Sequence, residues 1–94
     1  MESEKIVGKI AADKNSRRLG RIIKIETIPD EKTKIPKTYA LILVKKIFRQ
    51  DIVILLELEK ILKSDVEYVW FDILKEDFEQ EVLETRALMD LYKD

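Results

Sequence analysis

Hydrophobic residues recur with two periods along this chain of 94 residues. From residue 6 to residue 73 the pattern is mostly alternation, the period of a strand with one buried face; from residue 76 the apolar positions recur every three to four residues, the period of a helix. Residues 6–12 (IVGKIAA) set Ile6, Gly8, Ile10 and Ala12 on one side and Val7, Lys9 and Ala11 on the other. Gly8 inside such a run predicts a bulge or a sharp bend. Asp13, Asn15 and Ser16 follow with turn chemistry, because their side chains bond their own backbone. A second strand over residues 19–28 (LGRIIKIETI) closes a hairpin over the first, with Leu19, Ile23 and Ile25 on one face and Lys24 and Glu26 on the other.

Residues 29–37, bracketed by Pro29 and Pro36, read as an outward loop. Residues 39–44 (YALILV) are apolar on both parities, which predicts a strand covered on both faces. A turn or ragged hairpin over residues 47–51 leads to a fourth strand at 52–55. Leu58, Ile61 and Leu62 then stand at i, i+3 and i+4, the spacing of a short helical turn. Ser64 and Asp65 turn the chain into a last strand over residues 66–73, apolar on both parities at 69–71. That strand is the expected centre of the core, with Trp70 a core side chain. A helix is predicted from residue 76 to about residue 93, its positive end loaded with Glu76, Asp77 and Glu79. Phe78, Val82, Leu88, Met89 and Tyr92 make one apolar stripe on it; Leu83, Ala87 and Leu91 make a second. A helix that only caps its own domain needs one stripe, so the second implies another subunit.

The pattern therefore predicts a mainly β domain over residues 1–75, a small curled or closed barrel of about five to six antiparallel strands with a short helical turn, followed by an amphipathic C-terminal helix over residues 76–94. A chain of this size buries only about 60–65% of the surface it exposes when unfolded, which also favours a partner. No apolar run approaches the roughly 20 residues that cross a bilayer. The acidic start argues against a signal peptide, so no membrane insertion and a cytoplasmic location are expected.

Cysteine and histidine are both absent. Disulfides, thiol nucleophiles and thiolate metal sites are thereby excluded, and neutral-pH acid–base chemistry would need a perturbed Glu, Asp, Lys or Tyr. Glu57, Glu59, Asp65 and Glu67 could in principle hold a cation, but carboxylates beside turns are ordinarily solvated. No enzyme activity, metal or cofactor is expected. Charge is unevenly distributed: residues 1–50 carry 13 Lys/Arg against 6 Asp/Glu, and residues 51–94 carry 5 against 13. Either the two halves face one another across a solvated surface, or the basic half meets an anionic partner.

Residues 6–30, IVGKIAADKNSRRLGRIIKIETIPD, resemble the opening of a PRC-barrel domain: an apolar-Gly-Lys strand, a polar turn, then apolar-Gly-Arg and alternating isoleucines. The run IVILLELEKILKSDVEYVWF is similar to the closing section of that family, so that the resemblance spans roughly residues 6–73. The chain departs from the family pattern at Asn15-Ser16, Leu55-Leu56 and Ser64-Asp65. The resemblance implies an interaction module without catalytic residues; related domains serve photosynthetic reaction centres, a bacterial ribosome-maturation factor and small free-standing archaeal proteins. The barrel-then-helix order resembles archaeal cell-division members in which the helical part assembles.

The function expected from the sequence is a non-catalytic adaptor that forms a homodimer or higher homo-oligomer and contacts another cytoplasmic protein. Leu83, Ala87 and Leu91 are its candidate contacts, with Tyr39 and Trp70 as aromatic anchors should they prove exposed. The alternative is an RNA- or ribosome-associated module using Lys14, Arg17, Arg18, Arg21 and Lys24. The lack of an aromatic residue in that basic stretch, and a pI of about 5.6, argue against it.

Overall fold

A computed structural model describes residues 3–45 and 50–91. The strands are β1 (Ile10–Ala12), β2 (Arg18–Pro29), β3 (Pro36–Val44), β4 (Ile52–Glu57), β5 (Ile61–Ser64) and β6 (Tyr68–Phe71), and helix α1 spans Lys75–Leu91. Single 3-10 turns at Ser3–Ile6 and Leu58–Lys60 complete the order. The six strands form one sheet in the order β4-β3-β2-β1-β6-β5.

This sheet is mixed and it is not closed, which corrects the expectation of an antiparallel barrel. β1 and β6 run parallel, with Ile10, Ala11 and Ala12 beside Tyr68, Val69 and Trp70; the other four ladders are antiparallel. The two edge strands, β4 and β5, are consecutive in the chain and separated only by Leu58–Lys60. Four residue steps span at most about 14 Å, so the sheet must curl until its edges meet at one corner. Beyond that corner no ladder joins β4 to β5 among the described residues. Instead α1 packs against β4 and β2, and Arg86 donates from Nη1 to the carbonyl of Gln50, two residues before β4, at 2.8 Å.

Inward residues follow strict alternation on β3 (Ala40, Ile42, Val44), β4 (Ile52, Ile54, Leu56) and β6 (Val69, Phe71), all buried in one cluster with Ile6, Ala11, Leu19 and Ile22. From the helix, Phe78 and Val82 join the same cluster, a burial worth about 1.5–3 kcal/mol for each side chain. The predicted first helical stripe holds at Phe78, Val82 and Met89 but not at Leu88, which is exposed; Tyr92 lies outside the described residues, as does most of the expected turn at 47–51.

Several local readings change for identifiable reasons. On β2 a bulge at Ile23 shifts the register between Ile22 and Lys24, so Ile22 is fully buried and Ile23 is 40% exposed. Simple alternation had assigned them the reverse. Gly8 is not a strand residue: it stands at φ 94° before β1, where its amide donates to the Ile22 carbonyl at 2.7 Å. The loop between the prolines is shorter than expected, because Pro29 and Pro36 are themselves the last pair of the β2–β3 ladder. Ile61 and Leu62 belong to β5 rather than to a helical turn, and Val66 lies in a bend, 88% exposed. The outward residues of β3 and β4, Leu41, Leu43 and Val53, are only half-buried and Leu55 is exposed, so the second face of these strands is uncovered among the described residues.

Gly20 marks the point where β2 changes partner, from β1 over residues 18–21 to β3 over residues 21–29. A Cβ at this position would overlap the Leu43 carbonyl oxygen and stand 2.9 Å from Ile42 Cγ2. Backbone, unlike a side-chain tip, cannot step aside cheaply. Gly20→Ala is therefore expected to lower stability by about 2–3 kcal/mol, as other overpacked cores do, measured by urea denaturation.

Candidate functional site

The corner between the first hairpin and the helix is organised by Asp13, whose side chain is fully buried. Its Oδ1 accepts the amides of Asn15 at 2.9 Å and Arg17 at 2.8 Å, which closes the turn. Its Oδ2 accepts Arg17 Nε and the Lys75 amide, each at 2.9 Å, and lies 2.7 Å from Arg17 Nη2. Lys75 is the first residue of α1, so a residue 62 positions away satisfies one of the amides that a helix start leaves without a partner. Burial pushes the Asp13 carboxyl up, but the hydrogen bonds from Arg17, Lys75 and Asn15 outweigh it and hold the group below the usual aspartate value. Arg17 spans the two charge halves, also pairing with Glu76 on the first helical turn; that contact in turn lowers the Glu76 carboxyl.

Turn geometry carries this order to the sheet surface. Ser16 is held in the left-handed region at φ 66°, its amide bonded to the Asp13 carbonyl, and its Oγ accepts the Trp70 indole N–H at 2.9 Å. Trp70 is thus a half-buried residue of the outer face, and the expectation of a core tryptophan is corrected: Val69 and Phe71 take the core positions on either side of it. Tyr68, two residues away on the same face, has its ring centroid 5.7 Å from that of Trp70. Lys63 Nζ stands 4.5 Å above the Trp70 ring. The turn that presents Tyr68 is closed by Asp65, whose carboxylate accepts the Tyr68 and Glu67 amides; those bonds hold it below the ordinary value.

Strand pairing sets two arginines beside these rings. Ile10 of β1 lies between Arg21 and Tyr68, and Ala12 lies between Arg18 and Trp70. Since paired residues point to the same side of a sheet, the outer face carries the rows Arg21-Ile10-Tyr68 and Arg18-Ala12-Trp70-Lys63. Neighbouring strands are about 4.8 Å apart, so each arginine starts about 10 Å from its aromatic partner. Arg21 donates to the Gly8 carbonyl at 2.6 Å. Arg18 and Arg21 also rim a cavity of about 560 Å³ whose walls include Lys45, Lys75 and Glu79.

The five basic residues singled out in the sequence do not act as a unit. Arg17 is committed to Asp13 and Glu76, and Lys24 pairs with Glu26 at 2.6 Å. Lys14 and Arg18 are exposed. Tyr39 is half-buried on β3, between Glu26 and Glu57 in the ladders. Leu83 and Leu91 are 61% and 77% exposed, and Ala87 between them is exposed as well. Among the described residues no cluster of three or more carboxylates is placed to hold a metal ion, and no helix is long and apolar enough to cross a membrane. Tyr68, Lys63 and Ser16 were missed by sequence reasoning. Alternation on β6 could have turned Tyr68 outward with Trp70, but no local signal places them beside Arg18 and Arg21, because a parallel β1–β6 pair joins residues nearly 60 apart.

Comparison with protein-family models, curated proteins and solved structures finds no match for this chain.

Asp13→Asn is expected to lower stability by about 2–3 kcal/mol at pH 7, because donors that faced an anion would face an amide. The Asp13 value in the folded chain lies below the unfolded value of about 3.9, so the carboxylate's contribution is complete above that pH and is lost as pH falls through the folded value. Thermal melts between pH 7 and pH 2 are expected to show an acid-side loss of stability that is shallower in Asp13→Asn than in the parent.

Proposed function

We propose that this protein is a non-catalytic interaction module that self-associates through the outer stripe of α1. The observation that carries the proposal is the exposure of Leu83 and Leu91, at 61% and 77%, with Ala87 exposed between them on the same stripe. Scattered apolar residues on a surface are ordinary, but leucines gathered along the last turns of one helix form a patch of the kind that marks an interface. Six carboxylates, from Glu76 to Asp90, against Lys75 and Arg86 make α1 acidic. Packing two such helices directly together would oppose like charges.

A more favourable counter-surface exists on the same chain: the outer face of β3 and β4, with Leu41, Leu43, Val53 and Leu55 incompletely covered and Lys45 exposed beside it. A twofold dimer in which each helix lies on the other copy's β3–β4 face uses both surfaces at once and closes without propagating. The resemblance of residues 6–73 to PRC-barrel interaction modules supports the same reading. Within it we place a scaffolding role in a cytoplasmic assembly, such as that of archaeal cell division. The basic hairpin as a whole carries no second reading, since Arg17 and Lys24 are neutralised by their own carboxylates.

In static light scattering at micromolar concentration the parent is expected at about twice the 11.1 kDa mass of the chain. The double substitution L83E/L91E on the helix, and Leu55→Lys on β4, are each expected to return it to a monomer with the circular dichroism spectrum unchanged. A monomeric parent would sink the proposal.

A further inference from the structure

The outer face of β1 and β6 takes no part in the dimer just described. We propose that it binds single-stranded nucleic acid, with Tyr68 and Trp70 as platforms on which unpaired bases stack and Arg18, Arg21 and Lys63 as the contacts to phosphate. Two aromatic side chains sit on one sheet face, their centroids 5.7 Å apart, and strand register sets Arg21 in the row of one and Arg18 in the row of the other. Stacking platforms flanked by cations are what a reader of unpaired bases requires, because every base has a π-face and every linkage a charge. The sequence alone argued against nucleic acid for want of an aromatic in the basic stretch. The parallel β1–β6 pair removes that objection by bringing the aromatics in from the other half of the chain.

Local charge supports the same occupant. The described ion pairs are made by Arg17, Lys24 and Lys37. Asp13 is held within the buried corner, whereas Asp65, whose carboxylate accepts the amides of its own turn, also feels the charge of Lys63, and Glu67 beside Tyr68 is exposed. The net charge of −1 averages this face with an acidic helix and says little about either. Arg18 and Arg21 continue into the 560 Å³ cavity, whose walls carry Lys75 and also the carboxylate of Glu79. Lys63 over the Trp70 ring is no obstacle: displacing an exposed cation–π contact costs about 2- to 5-fold in the equilibrium, whereas one stacked base contributes about 5- to 150-fold. The displaced ammonium is then free to meet a phosphate. A duplex, with its bases already stacked on one another, could use only the cations.

Trp70 is the only tryptophan, so its fluorescence reports the site. The experiment titrates fluorescein-labelled oligo(U) and oligo(dT) of about 12 nucleotides, a labelled duplex and a labelled poly-glutamate peptide, at about 50 and 200 mM salt. Expected are binding of a single strand with quenching of Trp70, and about 20-fold weaker binding at the higher salt for three phosphate contacts. Preference for oligo(U) would assign the site to RNA and preference for oligo(dT) to DNA, both within the proposal. Trp70→Leu is expected to weaken binding about 5- to 150-fold. Tyr68→Leu and the surface change Arg18→Glu test the same face if Trp70→Leu does not fold. Absence of single-strand binding at the lower salt would overturn the proposal, as would duplex or poly-glutamate binding as tight as the single strands, or single-strand binding indifferent to all three substitutions.

Discussion

The structure depends on one buried anion. Taking a carboxylate out of water costs several kcal/mol unless its lone pairs are met by donors, and Asp13 meets that cost with the amides of Asn15, Arg17 and Lys75 and the guanidinium of Arg17. Those donors belong to the first hairpin and to the start of the helix, elements otherwise joined by packing, by the Arg17–Glu76 pair and by the Lys14 amide on the Ile73 carbonyl. A hydrophobic contact between Phe78 and the sheet would tolerate a helix rotated or slid by a fraction of a turn. A carboxylate accepting the first helical amide fixes where the helix begins, and Arg17 reaching Glu76 fixes its rotation.

The same corner also sets the outer surface. Because the Asp13 turn holds Ser16 in the left-handed region, the Ser16 hydroxyl is placed to take the Trp70 indole N–H. A residue whose ring is apolar and whose edge is a donor is stable at a half-buried surface only when that donor is met. Trp70 thus stands fixed on the outer face rather than turned toward the core, and the space beneath the sheet is left to Val69 and Phe71. Helix placement and presentation of an aromatic face are in this way two consequences of one side chain.

How much of this was legible in the sequence follows from how local each cause is. The identities of β2, β3, β4 and α1 were legible because alternation and helical spacing are properties of neighbouring residues, and the exposure of Leu83, Ala87 and Leu91 followed from the same spacing. The inward face of β2 was not, because one inserted residue at Ile23 reverses parity without leaving a mark in composition. Barrel closure was not, because it depends on whether β4 and β5 find each other across the corner at Leu58–Lys60, a matter of where α1 docks. Asp13 was readable as a turn residue, but its role as the helix cap spans 62 positions. The aromatic–basic face was the least legible of all, since it exists only through the pairing of β1 with β6.

One sheet carries two outer surfaces of different chemistry, and the division falls at Gly20 and Arg21, where β2 passes from β1 to β3. Only a residue without a Cβ lets β2 run against the Leu43 carbonyl at the bend. On one side of it the outward residues are leucines and valines of β3 and β4; on the other they are Arg18, Tyr68 and Trp70. A closed barrel would have forced both sets around one convex wall. An open curled sheet, anchored at the Asp13 corner and capped by an acidic helix, keeps them apart, so that an apolar surface and a cationic aromatic surface coexist on a chain of 94 residues.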